Sequence, residues 1–222
     1  MGKKITGLFL FFLFCITSLV FAVETKPVQF AFWSPVQLFP ANDSIQGFRL
    51  NLFYTDNQDV SGVTLGAGWA KTSGDMKGVS LGAVNWTDGL SFGFKGGILN
   101  YAGNRSVGLD IGVVNIGQGD TTGVQLGIVN WNNGFFHGWQ DGVVNYANGT
   151  FVGFQDGFIN IAKDKFSGFQ CGFINYVGGT MTGFQLGLIN TASSLRGIQI
   201  GLVDYNGDGG NMAFMILANW SF

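Results

Sequence analysis

Glycine returns every fifteen residues: Gly78, Gly93, Gly108, Gly123, Gly138, Gly153, Gly168 and Gly183 form an unbroken series. Gly47 and Gly62 precede it, with one step of sixteen before Gly78, and Gly197 follows after fourteen. A unit this short cannot bury a core by itself, so the fold must be made of copies that complete one another. No linker-like stretch interrupts the run. The units, about 47–205, are therefore read as a single domain over 23–222, with a C-terminal closing strand at 211–222.

The units converge on a consensus G-x-Q-x-G-x-x-N plus a large residue, as in GFQDGFINI from Gly153 to Ile161 and GFQCGFINY from Gly168 to Tyr176. Counting the first glycine as one, position two is apolar (Val63, Val79, Phe94, Leu109, Val124, Trp139, Phe154, Phe169, Phe184, Ile198), and so is position six. Position three is polar throughout: Arg49, Thr64, Ser80, Lys95, Asp110, then Gln125, Gln140, Gln155, Gln170, Gln185 and Gln199. Alternate side chains leave opposite faces of a strand, so each unit predicts a two-sided β-strand. Short Asn-Gly, Gly-Gly, Lys-Asp-Lys and Ser-Ser segments between units supply tight turns.

Two all-β architectures accept this pattern. The expected one is an up-and-down antiparallel β-barrel of about 12 strands, of outer-membrane type; the alternative is a parallel β-solenoid of 15-residue coils. A strand of about ten residues tilted near 45° covers roughly 23 Å, close to the ~25 Å apolar band of a membrane barrel. The chain also ends with alternating apolar residues and a final aromatic, from Phe214 to Phe222, unlike the polar cap of a solenoid. A solenoid would further stack Asp141 on Asp156, toward what is expected to be an apolar interior. In its favour, stacking would build Gln and Asn ladders and set Lys95 over Asp110. In a barrel, the Val/Phe/Leu face meets lipid and leaves only Asp141 and Asp156 exposed there. Lys95, Asp110, Gln125, Gln140, Gln155, Gln170, Gln185 and Gln199 then line a polar lumen, with the ninth-position Trp86, Tyr101, Trp131, Tyr146 and Tyr176.

Charged residues make up 11% of the chain against 46% hydrophobic ones, too little charge to coat an ordinary soluble surface. A net charge of −2 gives no basic stripe for phosphates, which argues against nucleic acid as partner. Lys3 and Lys4, the apolar run from Ile5 to Val20 and the small-residue site ending at Ala22 read as a signal peptide at 1–22, with Val23 beginning the mature chain. Cys15 falls within the apolar run, so Cys171 is left alone and no intramolecular disulfide is expected after processing.

The reiterated unit, the exported N-terminus and the lead-in IQGFRLNLFY from Ile45 to Tyr54 resemble a family of bacterial surface-repeat proteins over about residues 28–205. That resemblance implies an outer-membrane or cell-surface location without assigned catalytic activity. The expected neighbours are outer-membrane lipid and the barrel-insertion machinery, with any surface ligand unnamed.

No catalytic constellation emerges and no cofactor is expected. His137 has no companion base or ligand. Asp204, Asn206 and Asp208 match the first half of a calcium loop, but Met215 stands where a bidentate Glu is needed, so a hairpin turn is the favoured reading. The aligned Asn85, Asn100, Asn115, Asn130, Asn145, Asn160, Asn175 and Asn190 are read as strand-end amides that satisfy turn backbone groups.

Overall fold

The computed structural model describes residues 24–208 and 213–222. The proposed signal segment, the start at Val23 and the first residues of the proposed closing strand at 211–212 lie outside them. The strands are β1 (Thr25–Trp33), β2 (Val36–Gln37), β3 (Ser44–Asn57), β4 (Val60–Gly66), β5 (Trp69–Thr72), β6 (Met76–Leu81), β7 (Val84–Thr87), β8 (Ser91–Ala102), β9 (Ser106–Gly117), β10 (Thr121–Asn132), β11 (Phe136–Ala147), β12 (Phe151–Ala162), β13 (Phe166–Asn206) and β14 (Phe214–Ser221). From β3 to β13 each pairs in parallel with the next coil, glycine over glycine: Gly108 on Gly123, Gly123 on Gly138, Gly138 on Gly153. The all-β expectation holds, and the architecture is the alternative one, a β-solenoid of about ten turns.

The barrel of about 12 antiparallel strands is thus corrected, and the reason lies within the unit. In β10 the buried residues are Thr121, Gln125, Asn130 and Asn132, so the inward step from Gln125 to Asn130 is odd. Ile128 and Val129 both face outward, and Ile128 drops out of the strand pairing. The chain turns a corner there. In the earliest coils the corner separates whole strands, β4 from β5 and β6 from β7. Each coil is a long limb, a corner, a short limb and a turn, and the polar positions of both limbs face each other.

The fifteen-residue glycine is obligatory. Its φ lies between 125° and 150° in every coil, a region that side chains rarely enter. In each coil a Cβ there would also overlap the backbone carbonyl oxygen of the coil before. Glycine lets successive coils approach at a kink in the long limb. Further along, Phe136, Phe151 and Phe166 fill the interior as a parallel stack with ring centroids 4.8 and 4.9 Å apart. Small Ala147 and Ala162 stand in the same core cluster and leave room for them. In the preceding coil, Thr121 replaces the ring and donates to Asn132 Oδ1 at 2.6 Å.

Both ends carry added strands. At the N-terminal end β1 lies parallel on β3 and folds β2 back on itself. At the other end β14 pairs antiparallel with the last coil, Ile198 opposite Trp220 and Ile200 opposite Ala218. The apolar C-terminus that suggested barrel closure therefore covers the end of a stack.

Gly138→Ala combines the positive φ with overlap against Gly123, so it should cost on the order of 3–5 kcal/mol, measurable by urea denaturation followed by far-UV circular dichroism. Ala147→Gly in the same coil opens only a small void and should cost about 1 kcal/mol.

Candidate functional site

The residues singled out by sequence fill the interior. Gln125, Gln140, Gln155, Gln170, Gln185 and Gln199 have no exposed surface, so the proposed lumen is corrected to a packed core. From Gln140 onward each Gln donates through Nε2 to Oε1 of the preceding one, at 2.7–2.9 Å. The asparagines do the reverse. Asn85, Asn100, Asn115, Asn130, Asn145, Asn160 and Asn175 each donate to Oδ1 of the next at 2.8–2.9 Å, and Asn190 donates to Asp204 Oδ1 at 2.7 Å. The same Nδ2 atoms also reach a backbone carbonyl near the next corner, as Asn130 does to Asp141 and Asn145 to Asp156. Inside the two columns the amides are therefore consumed by one another, and at the ends of the Gln column Gln125 Nε2, beside Asp110, and Gln199 Oε1 lack an amide partner.

Lys95 lies over Asp110 with Nζ 3.5 Å from Oδ1, both buried. Burial pushes the Lys95 ammonium down and the Asp110 carboxyl up, and each partner opposes the other's shift. Arg49 is buried without a carboxylate in contact; burial pushes it down to about 9, against the pull of Asp56. Its guanidinium donates to the Lys71 carbonyl, Thr72 Oγ1 and Thr64 Oγ1 at 2.7, 3.2 and 3.1 Å.

The calcium candidates do not converge. Asp204 and Asn206 point into the core, and burial raises the Asp204 carboxyl despite the Asn190 bond, whereas Asp208 accepts from Ser194 on the surface. No group of three His, Cys, Asp or Glu side chains able to hold a metal occurs among the described residues. Asp141 and Asp156 do stack, but on the outer face, where they are half-buried. The interior that made their pairing costly in the sequence reading is the amide side.

The ninth-position aromatics stand outside, not in a lumen, because the corner reverses parity. Trp86 lies on Tyr101 with centroids 3.7 Å apart, and Trp131 on Tyr146 at 3.9 Å. Towards the N-terminal end, two columns run side by side on the outer face of the short limbs. One column is Trp33, Tyr54 and Trp69; the other is Asp56, Lys71 and Trp86. Neighbouring rings are tilted, not stacked: Trp33 to Tyr54 at 6.0 Å and 53°, Tyr54 to Trp69 at 5.7 Å and 73°, Trp69 to Trp86 at 5.8 Å and 53°.

Lys71 Nζ reaches Asp56 at 3.8 Å and Asp88 at 3.4 Å. Burial would lower this ammonium, but the two carboxylates outweigh it and hold it above its ordinary value. Trp86 Nε1 donates to Asp88 Oδ1 at 2.6 Å, and Ser73 Oγ to Asp56 Oδ1 at 2.8 Å. Trp33, Tyr54, Trp69, Lys71, Trp86 and Asp88 help line a cleft of about 510 Å³, a size usual for small-ligand sites, and Asp56 acts on it through its pairing with Lys71. The sequence reading missed it. Its signal was the run of Trp33, Tyr54, Trp69 and Trp86, obscured by the sixteen-residue step that shifts Trp69 and Lys71 against the glycine count.

Comparison with protein-family models, curated proteins and solved structures finds no match.

The Lys95–Asp110 pair interrupts the Gln column, which sets a test. Lys95→Gln alone strands a buried carboxylate and should cost on the order of 3–5 kcal/mol, whereas Lys95→Gln with Asp110→Gln extends the ladder and should be neutral or gain about 1–3 kcal/mol. In the single variant, a folded carboxyl raised above its unfolded value binds more protons folded than unfolded. Its stability should therefore rise as pH falls through that window and decline as pH rises through it, a trend absent from the double variant in urea titrations.

Proposed function

We propose that this chain is an exported, non-catalytic β-solenoid displayed at the bacterial outer membrane or cell surface, where its outer face serves as a binding or adhesion surface. The carrying observation is the division of labour between inside and outside. Interior polar groups are largely occupied in ladders, whereas aromatic rings and a charged trio stand together on the exterior. A surface of that composition suits recognition more than catalysis: it offers stacking area and a few oriented polar atoms, without an activated nucleophile or base.

A specific observation favours lipid as the neighbour of another part of the exterior. At the corners Ile98, Val113, Ile128, Val143, Phe158 and Phe173 succeed one another along the axis, each with 42–59% of its surface exposed. The limbs flanking these corners are paired on both sides and the Asn column takes a carbonyl near each corner, so no open sheet edge faces the apolar medium along the stripe. The solenoid would rest on the membrane through this stripe. Engagement of barrel-insertion machinery followed from barrel closure and forms no part of this proposal.

Cell fractionation with protease added to intact cells tests the reading. The chain should appear in the outer-membrane fraction and be cleaved from outside; confinement to the cytoplasm, protected until lysis, would overturn it. Substituting Ile128 and Val143 by Ser should shift the exported chain from the membrane to the soluble fraction while its circular dichroism stays β-rich, since both side chains are half exposed.

A further inference from the structure

Resting on the reading of the outer face as a binding surface, the geometry points to the cleft between the Trp33–Tyr54–Trp69 column and the Asp56–Lys71–Trp86 column as a site for a neutral glycan. Its three requirements are present in one place: apolar ring surface, hydrogen-bonding atoms of both polarities, and a repeat along one direction.

The rings supply the first. Trp86 and Tyr101 lie nearly parallel at 15°, each covering the other, but Trp33, Tyr54, Trp69 and Trp86 meet at 53–73°. Tilted rings leave apolar faces unshared, and Trp33 and Trp69 are 55% and 42% exposed. The carbon-bound hydrogens of a pyranose face are matched to such surface, because they bury apolar area against it while the hydroxyls stay at the rim.

The charged trio selects the ligand's charge. Asp56 and Asp88 flank Lys71, so the cleft carries acceptors and donors within a few ångströms. An anionic ligand meets the carboxylates that pair Lys71, and a quaternary ammonium laid against the rings meets the Lys71 ammonium that lines the same cleft. Each arrangement places like charges together in a partly desolvated site. A hydroxyl both donates and accepts, so vicinal hydroxyls can donate to a carboxylate and accept from Lys71. The ammonium's two carboxylate contacts, at 3.4 and 3.8 Å, leave it donor capacity for such an oxygen.

The site is also built from behind. Arg49, buried in the core, donates to the carbonyl of Lys71 itself and to Thr72 next to it, fixing the strand that presents the ammonium. Ser73 and Trp86 each hold one oxygen of the two carboxylates, leaving the other oxygens turned toward Lys71. Since successive rings come from successive coils, a linear glycan lying along the solenoid axis meets one ring after another.

Affinity electrophoresis and isothermal titration of the purified exported chain test this, using neutral linear hexaoses of glucose, mannose and N-acetylglucosamine, with polygalacturonate and choline as charged comparators. At least one neutral hexaose should bind at millimolar concentration or below, and neither comparator should bind. Trp69→Ala and Lys71→Met should each weaken that binding at least about tenfold. Trp131→Ala, on the distant aromatic pair, should leave it unchanged, with circular dichroism checking that all three variants keep the fold. Binding of no neutral hexaose, preference for either comparator, or equal loss in Trp131→Ala overturns the assignment. Surface display without glycan binding sinks this inference and leaves the proposed function standing, whereas a cytoplasmic location sinks that reading whatever the titration gives.

Discussion

Stacking identical residues one coil apart is the constraint on which everything else here depends. In-register parallel strands set each side chain on its own copy, about 4.8 Å away, so only residues that tolerate themselves as neighbours can form a column. A primary amide does so better than any other polar group, because it donates at one end and accepts at the other. The core accordingly holds one column of Gln and one of Asn, and their donor directions oppose: Gln gives to the coil before, Asn to the coil after. Two columns of aligned side-chain dipoles pointing the same way would build a field along the axis, and the opposed arrangement largely cancels it. The Asn column has a second task. By reaching the carbonyl near the next corner, it closes a backbone group that the bend would otherwise leave without a partner inside the molecule.

The same constraint inverts the usual layout of a folded chain. With polar columns sealed inside, apolar residues fall on the outer face of both limbs, which explains how a chain with so few charges presents Phe, Leu, Ile and Trp to its surroundings. Charged side chains inside the stack are exceptions that need a partner in an adjacent coil. Lys95 finds Asp110, whereas Arg49 is satisfied by a carbonyl and two hydroxyls. Burial moves all three toward their neutral forms, so the N-terminal half of the position-three column is where the interior depends most on pH. Beyond Gln125 that column contains only amides.

Much of this was legible in the residues. The glycine series set the coil length and alternation set the strands, whereas the position-three Gln residues, expected to line a barrel lumen, are instead packed against one another in the core. The Lys95–Asp110 pairing followed from their equivalent positions fifteen residues apart. The choice between closing a barrel and stacking coils went the other way for two physical reasons. Positions six and seven are both apolar, as in Ile128-Val129 and Phe158-Ile159, a break in alternation that marks a corner and that a straight barrel strand has no cause to carry. And Asp141 over Asp156 was weighed against an apolar interior, when the interior is the amide face and the two carboxylates stand outside. The aromatic and charged cleft was hidden for a related reason. Equivalence counted from the glycines fails in the first coils, where an extra corner residue brings Lys71 onto Trp86 instead of onto Thr87.

That extra residue shows how a repeat protein acquires a distinctive place. Where the count is strictly fifteen, each outer column continues the one before, and aromatic neighbours such as Trp86 and Tyr101 lie flat together. Where the count slips, the columns change content without breaking the backbone ladder, because β5 still pairs with both β3 and β7. Asp56 and Lys71 then occupy the column that Trp86 and Tyr101 continue, beside rings that have lost their flat partner. Position-one glycines, amides and backbone ladders tolerate little variation, since each is held by the coil on either side. Outer residues near such a slip are free of that restraint, so specificity can arise there while the stack beneath stays intact.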